Sequence, residues 1–473
     1  MPAPGRGRHR HASPMFRWEV KAMISKDQAL TLLEKVLSLT KADMAEAVLE
    51  KNRLSLTRFA ESKIHQNIDT EETILYLRTA RDKKVSVAVT GDISEEGLKS
   101  VVARGAAMLD YTLPDEKFAS FPPPDTTPVA ENSLSEGTAS FGPDKRAEAV
   151  QHIANVGRKG NLEGSGAIRL ETKALAVANS LGARRYFVGN SAQLSATVSG
   201  KDNISGWAIE YNPDASKLNV AHIAKTATEK AVTSRAPAAL PDGQYTVILE
   251  PAAVGQLLLL LAFMGFGGKT FVQQRSFMSG KLGQKIAGEN FTVIEDPTDP
   301  DFKAIPFDYE GVARKKVPLI ENGIASGVVY NSYYAGLGGT VSTGHALPPN
   351  NSYGPYPKCM VVAGGESSIE EMIRNTERGI LITHFWYLNF LNPMRTMVTG
   401  TTKDGTFLIE NGAVKSAVKN MRTNQSILEA FSNIYAISKE RVVYPQYSVL
   451  MKVPAMQIGN FNLAAEEEEE SKC

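Results

Sequence analysis

The sequence predicts an α+β protein: a mixed α/β N-terminal domain followed by a β-rich C-terminal domain, barrel- or sandwich-like. Three observations carry this. From Ser25 onward, stretches with helical spacing interleave with β-branched, alternating ones. "RAPAALPDGQ", Arg235–Gln244, reads as a linker. Beyond it, short apolar runs are punctuated by Gly-Asn turns, and "ENG" occurs twice, at Glu321–Gly323 and Glu410–Gly412, each a hairpin signal. The expected units are a disordered basic extension over 1–22, an α/β domain over 23–240, a β-rich domain over 241–463 and an acidic tail over 464–473.

In order, the arm carries Arg6, Arg8, Arg10, Arg17 and Lys21 against Glu19 alone and has no apolar signal region, so Met23 is the expected start of the folded chain. Ala29, Leu30, Leu32, Leu33, Val36 and Leu37 recur as on a helix. "AEAVLEK", "LSLTRFAESKIHQN" and "ETILYLRTARDKKVSVAVTG" read as strands, with "RDKK" as a turn. A helix follows with Ser94 as N-cap. "SFPPPDTTPVAENSLSEGTASFGP" reads as a surface excursion. A helix from "DKRAEAVQHIANVGRKGN", a β-meander ending "GWAIEYN", and a helix from "NVAHIAKTATEKAVTS" complete the first domain.

In the second domain "YTVILE" is a strand, and "ILEPAAVGQLLLLLAFMGFGG", Ile248–Gly268, is a buried core helix, too short and too interrupted to span a membrane. One further helix is expected, "GESSIEEMIRNTERGIL", with Ser367/Glu370 and Ser368/Glu371 both fitting a capping box.

Composition excludes several classes. The 473 residues carry 52 basic and 51 acidic side chains, which gives no support for direct nucleic-acid binding. Two cysteines, Cys359 and Cys473, leave no disulfide framework and no multi-cysteine zinc module, so a cytoplasmic protein without a membrane anchor is expected. Of seven histidines, His9 and His11 lie in the arm, and no two of His65, His152, His222, His345 and His384 fall within five residues of each other. His65 is expected at a surface or interface, facing opposite to Ile64. His384 sits among Phe385, Trp386 and Tyr387, a cluster that either lines a pocket or fills a core. "GFGGK" and "GLGG" lack phosphate-loop spacing, and no GxSxG elbow occurs.

The blocks "LTRFAESKIHQN", "RSFMSGKLGQKIAGENFTVIEDP", "PFDYEGVARKKVPLIENGIASGVVYN", "GESSIEEMIRNTERGILIT" and "TGTTKDGTFLIENGAVKSAVKNMR" together resemble the TldD/PmbA family, in family order. The resemblance implies a two-domain cytosolic dimer. It also implies two arms: TldD carries HExxxH on a helix and a cysteine near the C-terminus, whereas PmbA (TldE) lacks these ligands. The pair forms a metallopeptidase acting on unfolded or extended peptides.

Set against that helix, Pro251 and Ala252 stand where His and Glu would be, and Gln256 where the second His would be. No histidine lies between His222 and His345, and no cysteine near Ser438–Gln446. Catalytic zinc takes about three protein ligands and a water. The resemblance therefore implies a PmbA/TldE-type arm with no cofactor of its own, zinc being held by a catalytic partner chain. A TldD-like subunit or a second copy is the expected dimer partner, and extended peptide the expected ligand. Two rivals remain: a relocated metal site using His345, His384, Glu295 or Asp296, and a non-enzymatic modulator of a partner such as a topoisomerase.

Overall fold

The computed structural model describes residues 23–201 and 204–465; the basic arm, Cys473 and all but the first two residues of the acidic tail lie outside the described residues. The fold is α+β, with two sheet-rich domains.

Among the described residues, the first sheet has seven strands: β1 Met44–Ala60, β2 Lys63–Arg81, β3 Lys84–Thr90, β4 Asn132–Ser133, β5 Glu163–Asn179, β6 Arg184–Ser199 and β7 Ser205–Asn212. Their order is β3-β2-β1-β5-β6-β4, with β7 also on β6. "LSLTRFAESKIHQN" is not one strand. Glu61 and Ser62, at φ 50° and 60°, turn the chain between β1 and β2, as Asp82 and Lys83 do at φ 51° and 62° in the expected "RDKK" turn. Positive φ at both central residues is the hairpin geometry that matches strand twist.

One face of this sheet is covered by four helices. Lys26–Leu39 and Glu95–Tyr111 bury Leu33, Val36, Leu98 and Val101 against Leu49, Leu75 and Ala176. Pro143–Lys159 and Val220–Thr233 bury Ile153, Ile223 and Ala227 against Phe59, Ile168 and Leu194. The opposite face presents Val48, Leu175, Val177 and Phe187, which meet Phe307, Tyr309 and Ala346 from the second domain. Period-2 alternation thus gives β5 one face for its own helices and one for the other domain. The Pro-rich excursion is less superficial than its composition implies. Phe121 is buried under the Arg78 guanidinium, and the Asp125 carboxylate accepts the Ala313 N–H at 2.9 Å.

Among the described residues, the second sheet has eleven strands: β8 Gly243–Leu249, β9 Val293–Glu295, β10 Val317–Glu321, β11 Ile324–Ala325, β12 Cys359–Val362, β13 Arg378–Asn392, β14 Met397–Glu410, β15 Ala413–Ala417, β16 Met421–Ser426, β17 Ile434–Gln446 and β18 Val449–Ala465. The path β8-β13-β14-β16-β18 closes, because β18 pairs back onto β8, and closure removes those strand edges. β12, β9, β10 and β11 extend the sheet outward from β18. Both "ENG" turns form, with Asn322/Gly323 at φ 50°/77° and Asn411/Gly412 at 51°/75°.

Helix Pro251–Gly265 packs against β13, β17 and β18. It is apolar on all sides, as a helix enclosed by core must be. The second expected helix is shorter than its sequence suggests. Only Ile369–Arg374 is helical; Ser368 and Glu371 form the capping box, while Ser367 bridges to Ser438. "RGIL" belongs to β13, where Ile380 and Ile382 pair in parallel with Val247 and Leu249. Further short helices occupy Gly268–Val272, Ser332–Leu337 and Ile427–Ser432.

Candidate functional site

The helix face implied to carry a metal site is filled by hydrogen bonds and packing. Pro251 and Ala252 bring no donor atoms. The Gln256 amide is closed onto the Phe385 backbone: its Nε2 donates to the Phe385 carbonyl at 3.0 Å and its Oε1 accepts the Phe385 N–H at 2.7 Å. Gly255 lies under the Tyr444 ring, so a Cβ there would stand 2.5 Å from Tyr444 Cδ1. Tyr444 belongs to β17, within Ser438–Gln446, where the resemblance would have placed a cysteine. Among the described residues no three His, Cys, Asp or Glu side chains converge as a metal site. These residues do not fit a zinc ion.

The aromatic strand β13 separates what its sequence clusters. Phe385 is core, whereas Trp386 and Tyr387 are 55% and 75% exposed, with Tyr387 at φ 50°. His384 is buried, its Nε2 2.9 Å from Asp404 Oδ2 and its ring 4.6 Å from that of Trp207 on β7, so it ties the two domains together. Burial opposes ionisation of Asp404, but the His384 contact holds its carboxyl below the usual range. His65 is exposed, and so is Ile64, because the β1–β2 register slips by a bulge beside them.

A cavity of about 650 Å³ lies between the domains. β5 contributes alternate residues Arg169, Glu171 and Lys173 from the face away from its helices, and β6 contributes Ser191 and Gln193. The second domain supplies Phe302–Ile305, Phe307–Tyr309, Tyr356, Lys358, Cys359 and Pro445–Leu450.

At its base is a buried network. Glu295 Oε1 accepts from Arg314 at 2.5 Å and sits 3.0 Å from His345 Nε2, while Oε2 accepts the Cys359 N–H at 2.7 Å. Burial pushes the Glu295 carboxyl up, but Arg314 and His345 outweigh it and keep it ionised. Burial lowers His345, which is therefore neutral, with its Nε2 proton directed at Glu295. Burial also pushes the Cys359 thiol up to about 12, which leaves it protonated and unreactive. Glu295 and His345 thus meet, but His384 is engaged elsewhere with Asp404, and Asp296 pairs with Lys316 at 2.9 Å.

Higher on the wall, Lys173 Nζ lies 2.7 Å from Glu50 and donates to the Tyr309 hydroxyl at 2.9 Å, which donates to Glu50 at 2.6 Å. Lys358 lines the same cavity, its ammonium 5.8 Å from the Tyr356 ring centroid. Burial, with the nearby charges of Lys173 and Arg314, lowers its pKa to about 8. Sequence reasoning missed this cavity. The one available signal was the basic Lys358 opening the otherwise apolar β12 run.

Residues 242–465 match the family described as PmbA/TldA metallopeptidase C-terminal domain. The chain is 24% identical over 233 residues to a metalloprotease of Methanothermobacter thermautotrophicus, a match covering 47% of this chain and 49% of that protein. It thus spans about half the length of the first curated relatives it matches. A metalloprotease PmbA homolog of Haemophilus influenzae aligns more fully, 22% identical over 424 residues, covering 85% of this chain and 89% of that one. The crystal structure of TldE from Thermococcus kodakarensis superposes with a TM-score of 0.83 at 25% identity, covering 92% of this chain and 99% of that one. The two-domain fold with this closed C-terminal sheet is thus similar to metallopeptidase-related proteins. The chain is similar to the TldD/PmbA family, through the family model over its second domain and through the TldE fold over 92% of its length.

Proposed function

We propose that this chain is a non-catalytic subunit of a TldD/PmbA-type metallopeptidase, holding extended peptide beside a catalytic chain that carries the zinc. The observation that carries the reading is the locked helix face. Gln256 is closed onto Phe385, and Tyr444 covers Gly255, so the position implied for metal chemistry serves packing instead. The exposed Trp386 and Tyr387 suit an interface with a TldD-like chain or a second copy, since aromatic residues are enriched at such surfaces. No described helix is long and apolar enough to cross a membrane; a cytoplasmic location is part of the proposal.

The test mixes two purified chains. This protein alone should hold no stoichiometric zinc by elemental analysis and cleave no unfolded peptide. Together with an HExxxH-bearing relative it should form a mixed dimer that hydrolyses peptide faster than the relative alone. Tightly held zinc at about one per chain, or a rate unchanged by mixing, would overturn the reading.

A further inference from the structure

The interdomain cavity has an uncommitted cation. Five cationic side chains line it, Arg169, Lys173, Lys303, Arg314 and Lys358, against the carboxylates of Glu171 and Asp308. Most are spoken for. Lys173 is paired with Glu50, Arg314 with Glu295, and Arg169 with Glu171 at 3.4 Å. The Asp308 carboxylate accepts the backbone N–H groups of Glu310, Val312 and Ala346. Among the described residues, no carboxylate lies within ion-pair distance of Lys358, and its one described side-chain contact is the Tyr356 ring. The carboxylate whose charge acts on it, Glu50, is already shared by Lys173 and Tyr309. A partly buried ammonium without an anion is costly. A carboxylate arriving beside it would remove that cost.

The remaining walls suit a short peptide. Tyr211, Tyr309, Tyr356 and Phe302 supply aromatic surface, and Lys303 adds a second positive charge at the exposed rim. The volume falls within the roughly 300–1,000 Å³ of small-ligand sites. We propose that this cavity is a carboxylate-binding site, in which Lys358 takes the terminal carboxylate of a short peptide lying between β5–β6 and the Phe302–Tyr309 segment. That the carrier is a peptide rests on the subunit reading above; the preference for an anion does not.

The charged and titratable groups facing Lys358 are Lys173, Arg314, Glu50 and Cys359. Lys358 itself is protonated below about 8 and neutral above. Carboxylate binding should therefore be full near pH 7 and fade as pH rises through that value. A solvent-exposed lysine would hold it to about pH 10.

Calorimetry on the full chain alone decides the matter, so failure here is separable from failure of the mixing test. The probes are N-acetyl-tetra-alanine with a free carboxylate, the same peptide as its amide, and inorganic phosphate. We expect the acid to bind at least about tenfold tighter than the amide at pH 7, and the difference to vanish by about pH 9.5. Lys358→Met should abolish the preference and Lys358→Arg retain it, with melting temperatures confirming that each folds. Equal binding of acid and amide, no binding of either, a preference that persists at the higher pH, or one that survives in folded K358M would overturn the proposal. Phosphate binding tighter than the acid would overturn its carboxylate identity. The wild-type comparisons stand even if neither variant folds.

Discussion

Gln256, in the middle of the apolar helix, holds both backbone polar groups of Phe385 on β13, at 3.0 Å and 2.7 Å. A side-chain amide that closes such a pair does for the helix what a neighbouring strand does for an edge: it satisfies one donor and one acceptor at once. Beside it, Gly255 lets Tyr444 lie directly on the helix backbone.

Replacing Gln256 with alanine should therefore destabilise the protein rather than free a site. The Phe385 N–H and carbonyl would lose their partner inside the second-domain core, at a cost of about 1–3 kcal/mol. Urea unfolding measures it. An unchanged midpoint would show that water or the Tyr444 hydroxyl replaces the amide.

The organisation of this region was legible in the sequence, and the cavity was not. The enclosed helix, Pro251–Gly265, announces itself by its density of apolar residues, among which Gln256 is the one polar side chain. The "ENG" turns carry their φ requirement in Asn322–Gly323 and Asn411–Gly412. By contrast, the turn at Glu61–Ser62 lies inside a strand-like run, with no glycine, no asparagine and no charged cluster like "RDKK" to mark it, so its two strands read as one. "RGIL" lost its helical reading to parallel pairing with β8, a contact over 100 residues away in the chain. The cavity needs Lys173 from β5, Arg314 from a loop and Lys358 before β12 to meet across a domain boundary, and no local pattern encodes that meeting.

The Glu295 network makes a second expectation. Glu295 and Arg314 form an ion pair with 0% and 8% side-chain exposure. Glu295→Gln would leave the guanidinium buried without its counter-charge and weaken the contacts to His345 and the Cys359 N–H. Breaking one partner of a buried pair costs roughly 3–5 kcal/mol. The melting temperature should fall accordingly, and a change within experimental error would show that Arg314 finds another acceptor.

The last expectation concerns pH. Glu46 on β1 is fully buried; Arg78 binds its Oε1, with Nε at 2.8 Å, while Oε2 has no hydrogen-bond partner. Burial pushes its carboxyl up from 4.5 to about 7, Arg78 opposing and Glu310 adding to the rise. The folded state thus binds a proton that the unfolded chain releases near 4.5. The stability this contributes is fully present below that value and is lost as pH rises through about 7. Its size is on the order of 3 kcal/mol. Glu46→Gln, neutral at every pH, removes the dependence. Unfolding free energies at about pH 5 and pH 8 should show E46Q gaining on the wild type by roughly that amount at the higher pH. Parallel profiles for the two proteins would mean that Arg78 keeps Glu46 ionised throughout.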